Sequence, residues 1–536
     1  MKQTRKKAGR WVGNLYLGSL LVMAASPLTL GGTPPAADMT APASMPSRLS
    51  AGYADVDRLM RDFLSRENVP GGAWGIIVDG QLVHVGVYGL RDVAIGAEVK
   101  SDSVFRIASM TKSFTALAIL QLRDAGRLSL DDPAEQYLPQ LRHWRYPSSD
   151  SPKLTIRHLL THSAGFPEDN PWGDQQLAIS EEAFTALLDQ GMPFSNPPGV
   201  AFEYSNYGYA LLGRIVSAVS GMPYPTYVQK RILEPLGMSS TTLEPAAVDD
   251  QRLARGYRFE DGQWKLEPQL ADGAFGAMGG MLTSLDDLGR YVGAFLAAYP
   301  PRNEALNAPV ARASLREMQQ MWRLRPASIT LSKAGQPQLN VTGYGYGLRI
   351  SQSCEFSHIV AHSGGLPGFG SQMRWLPEYG VGLIALGNRT YTPWGGALDE
   401  AISILARTGA LKPRAIDPSA ELQSARIAVE SLVSQWDDSV ARELAAMNLF
   451  LDRSLERRRA EFAQLAQELG VCRSRPGYVS LENRLRGDWM FDCERGTLRA
   501  SVTLSPTIPP KVQHLELRRG TARDERAPAS CQFMPE

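Results

Sequence analysis

Phe105-Arg106-Ile107-Ala108-Ser109-Met110-Thr111-Lys112-Ser113-Phe114 sets a hydroxyl and an amine three positions apart at the opening of an apolar helix. From Ser109 to about Arg123 the apolar residues Phe114, Leu117, Ala118 and Leu120 recur at helical spacing, so Ser109 and Lys112 share one face. A serine hydroxyl becomes nucleophilic only beside a base, and a lysine is a base only where burial or neighbouring cations lower its proton affinity. An apolar helix supplies that burial, and the unpaired N–H groups at its start favour developing negative charge. Ser-x-x-Lys occurs once in the chain and is a weak signal by itself, so its weight depends on what surrounds it.

The chain has 536 residues, more than one hydrophobic core usually serves, which leads us to expect two domains. Its 56 basic and 55 acidic side chains leave no cationic excess with which to displace counterions, so nucleic acid is excluded as a partner class. Lys2, Arg5, Lys6, Lys7 and Arg10 precede an uncharged run over 11–30, the pattern of an export signal. Residues 1–37 are therefore assigned to a signal peptide and the protein to an exported, periplasmic or secreted location. The cleavage point is open between Ala24-Ala25-Ser26 and Ala36-Ala37, and membrane contact is expected only if the segment stays uncleaved. The Pro-, Ala-, Ser- and Thr-rich stretch 38–50 reads as a linker.

Cys354, Cys472, Cys493 and Cys531 show no Cys-x-x-Cys spacing, so no metal is expected. Cys472 and Cys493 bracket a strand-like run and are the favoured disulfide pair, although four cysteines allow three connectivities. His158 and His162 stand four apart, but Leu159 occupies the position where a zinc protease needs glutamate, so they are assigned to packing or capping.

A helix is expected over 53–67, then two strands over 73–78 and 81–88 joined by Asp79-Gly80, then the Ser109 helix. Tyr204-Ser205-Asn206 leads into an apolar helix over 210–219, which lets Tyr204 and Asn206 present to one cavity. Ser284 caps a helix through 286–295. Residues 359–365 read as a strand ending in the small, polar edge His362-Ser363-Gly364-Gly365, followed by strands over 370–375 and 381–386. GxSxG and GxxxxGK[ST] are both absent, which excludes the α/β-hydrolase elbow and the phosphate loop. After a linker at 411–419, residues 420–536 form a small α+β domain of helices, then strands, with a cystatin-like or NTF2-like arrangement as the expected form.

Taken in order, SMTK, YSN and HSG resemble the serine β-lactamase and penicillin-binding superfamily, in its class C and D-Ala-D-Ala carboxypeptidase branch that includes family VIII esterases and D-aminopeptidases. The resemblance covers about residues 50–408, which assigns 51–410 to a β-lactamase-related serine hydrolase domain, and is reinforced by LTIRHLLTHSAGFP, LEPLGM, GGMLTSLDDL and HSGGLPGFGSQMRWLP. It implies an α/β (α+β) fold: an antiparallel sheet flanked by helices, with an inserted all-helical subdomain. It also implies a serine hydrolase without cofactor, in which Ser109 is acylated, Lys112 is proton acceptor or electrostatic partner, and Tyr204 is the second base. Asn206, His362, Ser363, Gly364 and Gly365 would bind substrate, with the oxyanion between the N–H groups of Ser109 and Gly365. Which base takes the first proton stays open at this stage. A histidine, only partly charged near neutrality, stands where many relatives carry a lysine, which makes a dedicated β-lactamase less favoured. The expected substrates are small molecules or peptides with amide, peptide or ester bonds, D-amino-acid peptides of the cell wall first and β-lactams among the candidates. A class C-like β-lactamase, a promiscuous esterase and a non-hydrolytic binder or sensor are the alternatives.

Overall fold

Gly71–Val78, GGAWGIIV, is buried along its whole length. Ala73 and Ile77 enter one hydrophobic core while Trp74, Ile76 and Val78 enter another. A strand apolar on both faces belongs inside a sheet covered on both sides, and here it is the hub of one. In the computed structural model, which describes residues 45–303, 309–331, 337–414, 416–521 and 524, it pairs with Gln81–Asp92 on one edge and Val381–Gly387 on the other. Asp79 and Gly80 turn the first hairpin with positive φ of 49° and 84°, as a two-residue turn between twisted strands requires. The export signal lies outside the described residues.

The resulting ten-stranded sheet is antiparallel. From Gly71–Val78 it continues through Val381–Gly387, Phe369–Leu376, Ile359–Leu366, Arg349–Gln352 and Pro337–Tyr344 to the two-residue edge strand Arg323–Leu324. Tyr53–Arg66 and Gly395–Arg407 cover one face. Leu285–Leu296 and Thr111–Asp124 cover the other, with Phe114 stacked on Tyr291 at 3.7 Å. Between these last two helices the chain forms a mainly helical insertion containing Ile156–Leu160, Glu181–Gln190 and Asn206–Ser220.

Three features differ from the sequence reading. The insertion is not all helical, because Tyr257–Glu260 and Gln263–Leu266 form a hairpin around Asp261-Gly262. The stretch read as a linker to residue 50 contains a helix, Met45–Leu49, whose Leu49 is completely buried in the core beside Val56 and Met60. The 411–419 stretch is tied down: Arg414 donates to the carbonyls of Leu296 (2.7 Å) and Tyr299 (2.8 Å) and pairs with Asp79.

Beyond it, Ala420–Ser434, Asp438–Leu444, Leu449–Asp452 and Leu455–Leu469 accompany a separate five-stranded sheet. Leu422, Val429, Phe462, Trp489, Phe491 and Val502 make a core of their own there. Cys472 and Cys493 are opposite each other in register and are disulfide-bonded, the pairing expected from their spacing. Cys354 is disulfide-bonded as well, while Cys531 lies outside the described residues.

The Cys472–Cys493 bond closes a loop with a sequence separation of 21. Loop-closure entropy for that length is about 3 kcal/mol, so a Cys472→Ser, Cys493→Ser protein should lose about that much stability in this sheet. Hydrogen exchange measured by mass spectrometry should quicken roughly a hundredfold across Arg486–Cys493 and Gly496–Leu504 and stay unchanged across Gly71–Val78.

Candidate active site

Ser109 sits in a single 3₁₀ turn, Ala108–Met110, and the α-helix proper begins at Thr111, slightly later than the apolar spacing suggested. Ala108 has φ of +49°, a left-handed conformation that costs a non-glycine residue about 1 kcal/mol or more. The surroundings hold it there. Phe105–Arg106 is paired with Leu282–Thr283, the Ile107 N–H donates to Met281 (2.9 Å), and Ser371 Oγ donates to the Ile107 carbonyl (2.8 Å). The His362-Ser363-Gly364-Gly365 stretch does not end its strand as expected but continues in it to Leu366. Gly364 explains how that strand reaches the Ser109 turn: a Cβ there would stand 2.0 Å from the Ile107 carbonyl oxygen.

Lys112 is completely buried. Its ammonium donates to Ser109 Oγ (3.1 Å), Asn206 Oδ1 (2.6 Å) and the Met278 carbonyl (2.8 Å), which uses all three of its protons. Burial lowers its pKa to about 7, and the carboxylates of Asp174 and Asp169 limit the fall. Tyr204 shares the cavity wall with Ser109, lies 4.8 Å from Lys112 Nζ measured to the ring centre, and is pushed well above the usual phenol range, chiefly by burial.

Asn206–Ser220 starts with Ser205 as its cap, whose Oγ accepts from the Gly208 N–H at 3.1 Å. Asp169 adds a carboxylate at the same end, accepting from the N–H groups of Asn206 (2.6 Å) and Tyr207 (2.8 Å). The Asn206 amide nitrogen donates to Asn170 Oδ1 (3.1 Å) and Asp174 Oδ1 (3.3 Å). Its carbonyl is thereby turned onto Lys112, and this fully buried side chain serves the lysine rather than facing the cavity.

His362 is 5% exposed, and both ring nitrogens are occupied. Nδ1 donates to the Ser363 carbonyl (2.6 Å), which leaves Nε2 to accept from the Tyr344 hydroxyl (2.8 Å). Burial, with Lys112 and then Arg349 adding to it, pushes the ring to about 3. The partial charge expected of this histidine is therefore absent near neutrality. His158 and His162 take the capping and packing roles expected of them. His158 completes a capping box with Thr155, and His162 lies among the rings of Phe202, Tyr204, Tyr209 and Tyr344 with Nδ1 accepting from the Ser205 N–H.

Ser109, Tyr204, His362, Ser363, Gly364 and Gly365 line one cavity of about 990 Å³, large enough for a peptide fragment. Several of its other groups were not singled out from sequence. Asp174, 2% exposed, accepts from the Tyr391 hydroxyl (2.8 Å), and burial lifts its pKa to about 6. Arg325, Arg349 and Arg374 form a cationic part of the wall. Arg374 contacts Asp399, whereas Arg325 and Arg349 have no carboxylate partner among the described residues. The nearest sequence signal for the acids was the PEDNPWGD run after HSAGF, where carboxylates crowd a short loop; the arginines carried no pattern at all.

The chain is similar to several known proteins. The chain is 28% identical over 339 residues to protein flp of Staphylococcus aureus strain COL, covering 62% of each chain. It thus spans somewhat less than two thirds of that relative's length. Penicillin-binding protein 4* of Bacillus subtilis strain 168 is 26% identical over 329 residues, covering 58% of this chain and 66% of the relative. The octameric penicillin-binding protein homologue from Pyrococcus abyssi shares the fold, with a TM-score of 0.57 at 22% identity, over 84% of this chain and 96% of that one. Residues 56–407, more than half of the chain, match the Beta-lactamase family over the region that holds both the main sheet and the cavity, and the chain belongs to that family.

Proposed function

We propose that this chain is an exported serine hydrolase that forms an acyl-enzyme on Ser109 and acts on amide, peptide or ester bonds of substrates bearing a free carboxylate. The observation that carries the reading is the completely buried Lys112, held 3.1 Å from Ser109 Oγ. An amine with a pKa of about 7 is half neutral at neutral pH, and it is a better first base than a phenol whose pKa burial has raised. Lys112 takes the Ser109 proton as Oγ attacks the carbonyl carbon. Tyr204, beside Ser109 in the cavity wall, then passes a proton from Lys112 to the leaving group. The N–H groups of Ser109 and Gly365 receive the oxyanion. Water entering by the same route reverses the proton traffic and frees Ser109.

Arg325 and Arg349 supply the carboxylate-binding charge that a neutral His362 does not. A D-amino-acid peptide of the cell wall, ending in a carboxylate, fits this wall. The relative named as a penicillin-binding protein makes a penicillin a reasonable probe of the same pocket. The disulfides and the N-terminal apolar segment support an oxidising location outside the cytoplasm.

D-Alanine release from an N-acylated D-alanyl-D-alanine peptide tests the reading, alongside intact mass after exposure to benzylpenicillin. Ser109→Ala should lower turnover by about 10⁴-fold or more and abolish any covalent adduct, with folding intact. Turnover that survives the substitution defeats the proposal and leaves a binding or sensing role.

Because Lys112 must be neutral to act, kcat/KM for p-nitrophenyl acetate should have an acid limb near pH 7, falling about tenfold per unit below it. Asp174 and Asp169 both raise the lysine's proton affinity, and Glu168 lies in the same wall. Asp174→Asn removes one of those negative charges, so it should move the limb to lower pH; a shift to higher pH contradicts the assignment.

Arg349→Ala should raise KM for a peptide with a free C-terminal carboxylate by roughly ten- to a hundredfold, the worth of a lost charge-assisted hydrogen bond. The amidated peptide should be nearly indifferent, and steady-state kinetics on the two forms decide.

A further inference from the structure

A second concavity of about 720 Å³ adjoins the catalytic cavity, and Phe202 and Arg325 line both. Val200 and Phe202 form one bank, Trp322, Leu324 and Pro326 the other. Val200 is 61%, Leu324 60% and Trp322 45% exposed, so three large apolar side chains face water in one trough.

The trough is built rather than incidental. Trp322 is stacked on Tyr346 with an interplanar angle of 2° and donates its N–H to the Glu317 carbonyl (3.0 Å), so its polar atom is satisfied and its ring is fixed. Arg323 on one bank contacts the Val200 carbonyl on the other. Arg325 stands 5.1 Å over the Phe202 ring at the junction of the two cavities. Both banks are also in fixed register with the site. Phe202 precedes Tyr204 by two residues, and Leu324 pairs with Gly343, next to the Tyr344 whose hydroxyl engages His362.

We propose that this trough binds the apolar arm of the substrate, so that the preferred substrates of the Ser109 site join a carboxylate to an aliphatic or aromatic chain. The inference rests on the serine-hydrolase reading for its catalytic meaning. Continuity with the cavity favours the substrate itself over a separate macromolecule as occupant, because Arg325 and Phe202 line both concavities and a carboxylate at Arg325 would stand at the border of the trough. A preformed apolar wall gains affinity without ordering cost.

Calorimetric titration of the full chain with butanoate, hexanoate and octanoate tests this. Affinity should rise about two- to fourfold per methylene. Leu324→Asp and Val200→Asp, each at an exposed position, should flatten that slope with the thermal melt unchanged. Ile427→Asp, at an exposed apolar position in the C-terminal helices, should leave it intact. A flat series in the unmodified protein, or a slope that survives both trough substitutions, overturns the proposal. Octanoate should also compete with p-nitrophenyl acetate turnover. Turnover persisting in Ser109→Ala would defeat the serine-hydrolase reading, while the calorimetric slope would still decide the trough.

Discussion

The buried ammonium of Lys112 is the constraint on which the site depends. A lysine at 0% exposure is tolerated only when each of its protons has a partner, and the partners come from three parts of the chain: its own turn, the start of Asn206–Ser220, and the Met278 carbonyl. Each partner is fixed in turn. Asn206 is held by Asn170 and Asp174, and Asp169 holds the backbone that carries it. Removing any of them leaves a buried charge short of a partner. The helical insertion is therefore part of what holds Lys112 beside Ser109, even though Ser109 lies outside it.

The main sheet supplies the second half of the arrangement. The antiparallel pairing of Phe369–Leu376 with Ile359–Leu366, in register from Val360–Trp375 to Leu366–Phe369, carries Gly364 to a position beside Ile107. Only a glycine permits that approach. The nucleophile turn, with Ala108 in a left-handed conformation, is clamped between this strand and the Leu282–Thr283 bridge. Strain at Ala108 is thus maintained by packing on two sides.

The order of the elements was readable from sequence because local signals were strong. Asp79-Gly80 announced a hairpin, Ser284 a cap, and the apolar run after Ser109 a buried helix. Ser109, Lys112, Tyr204, His362, Ser363, Gly364 and Gly365 do converge at one place. What sequence could not give was side-chain orientation and charge state. Asn206 looked like a group facing substrate, yet its amide turns inward, because that depends on Asp174 and Asn170 more than thirty positions away. The neutrality of His362 follows from burial and from Lys112, neither of which its neighbours in sequence reveal. Arg349 comes to the cavity wall through strand pairing alone. The hairpin at Asp261-Gly262 did carry a legible turn signal, which the expectation of an all-helical insertion overrode.

Moving the positive charge from the third motif to the arginines has an electrostatic consequence. The Lys112 ammonium lowers the affinity of His362 for a proton, since a second positive charge would lie near the first in a poorly screened interior. A permanent cation at residue 362 would press the lysine below neutrality and would itself need a partner. With a neutral imidazole there, fixed between Tyr344 and the Ser363 carbonyl, Lys112 titrates near neutral pH under the control of Asp174 and Asp169. On the proposed reading the carboxylate-binding charge falls instead to Arg325 and Arg349, which line the cavity wall. That reading gives recognition of a negative substrate and movement of the catalytic proton to different groups, so that a change in one need not disturb the other.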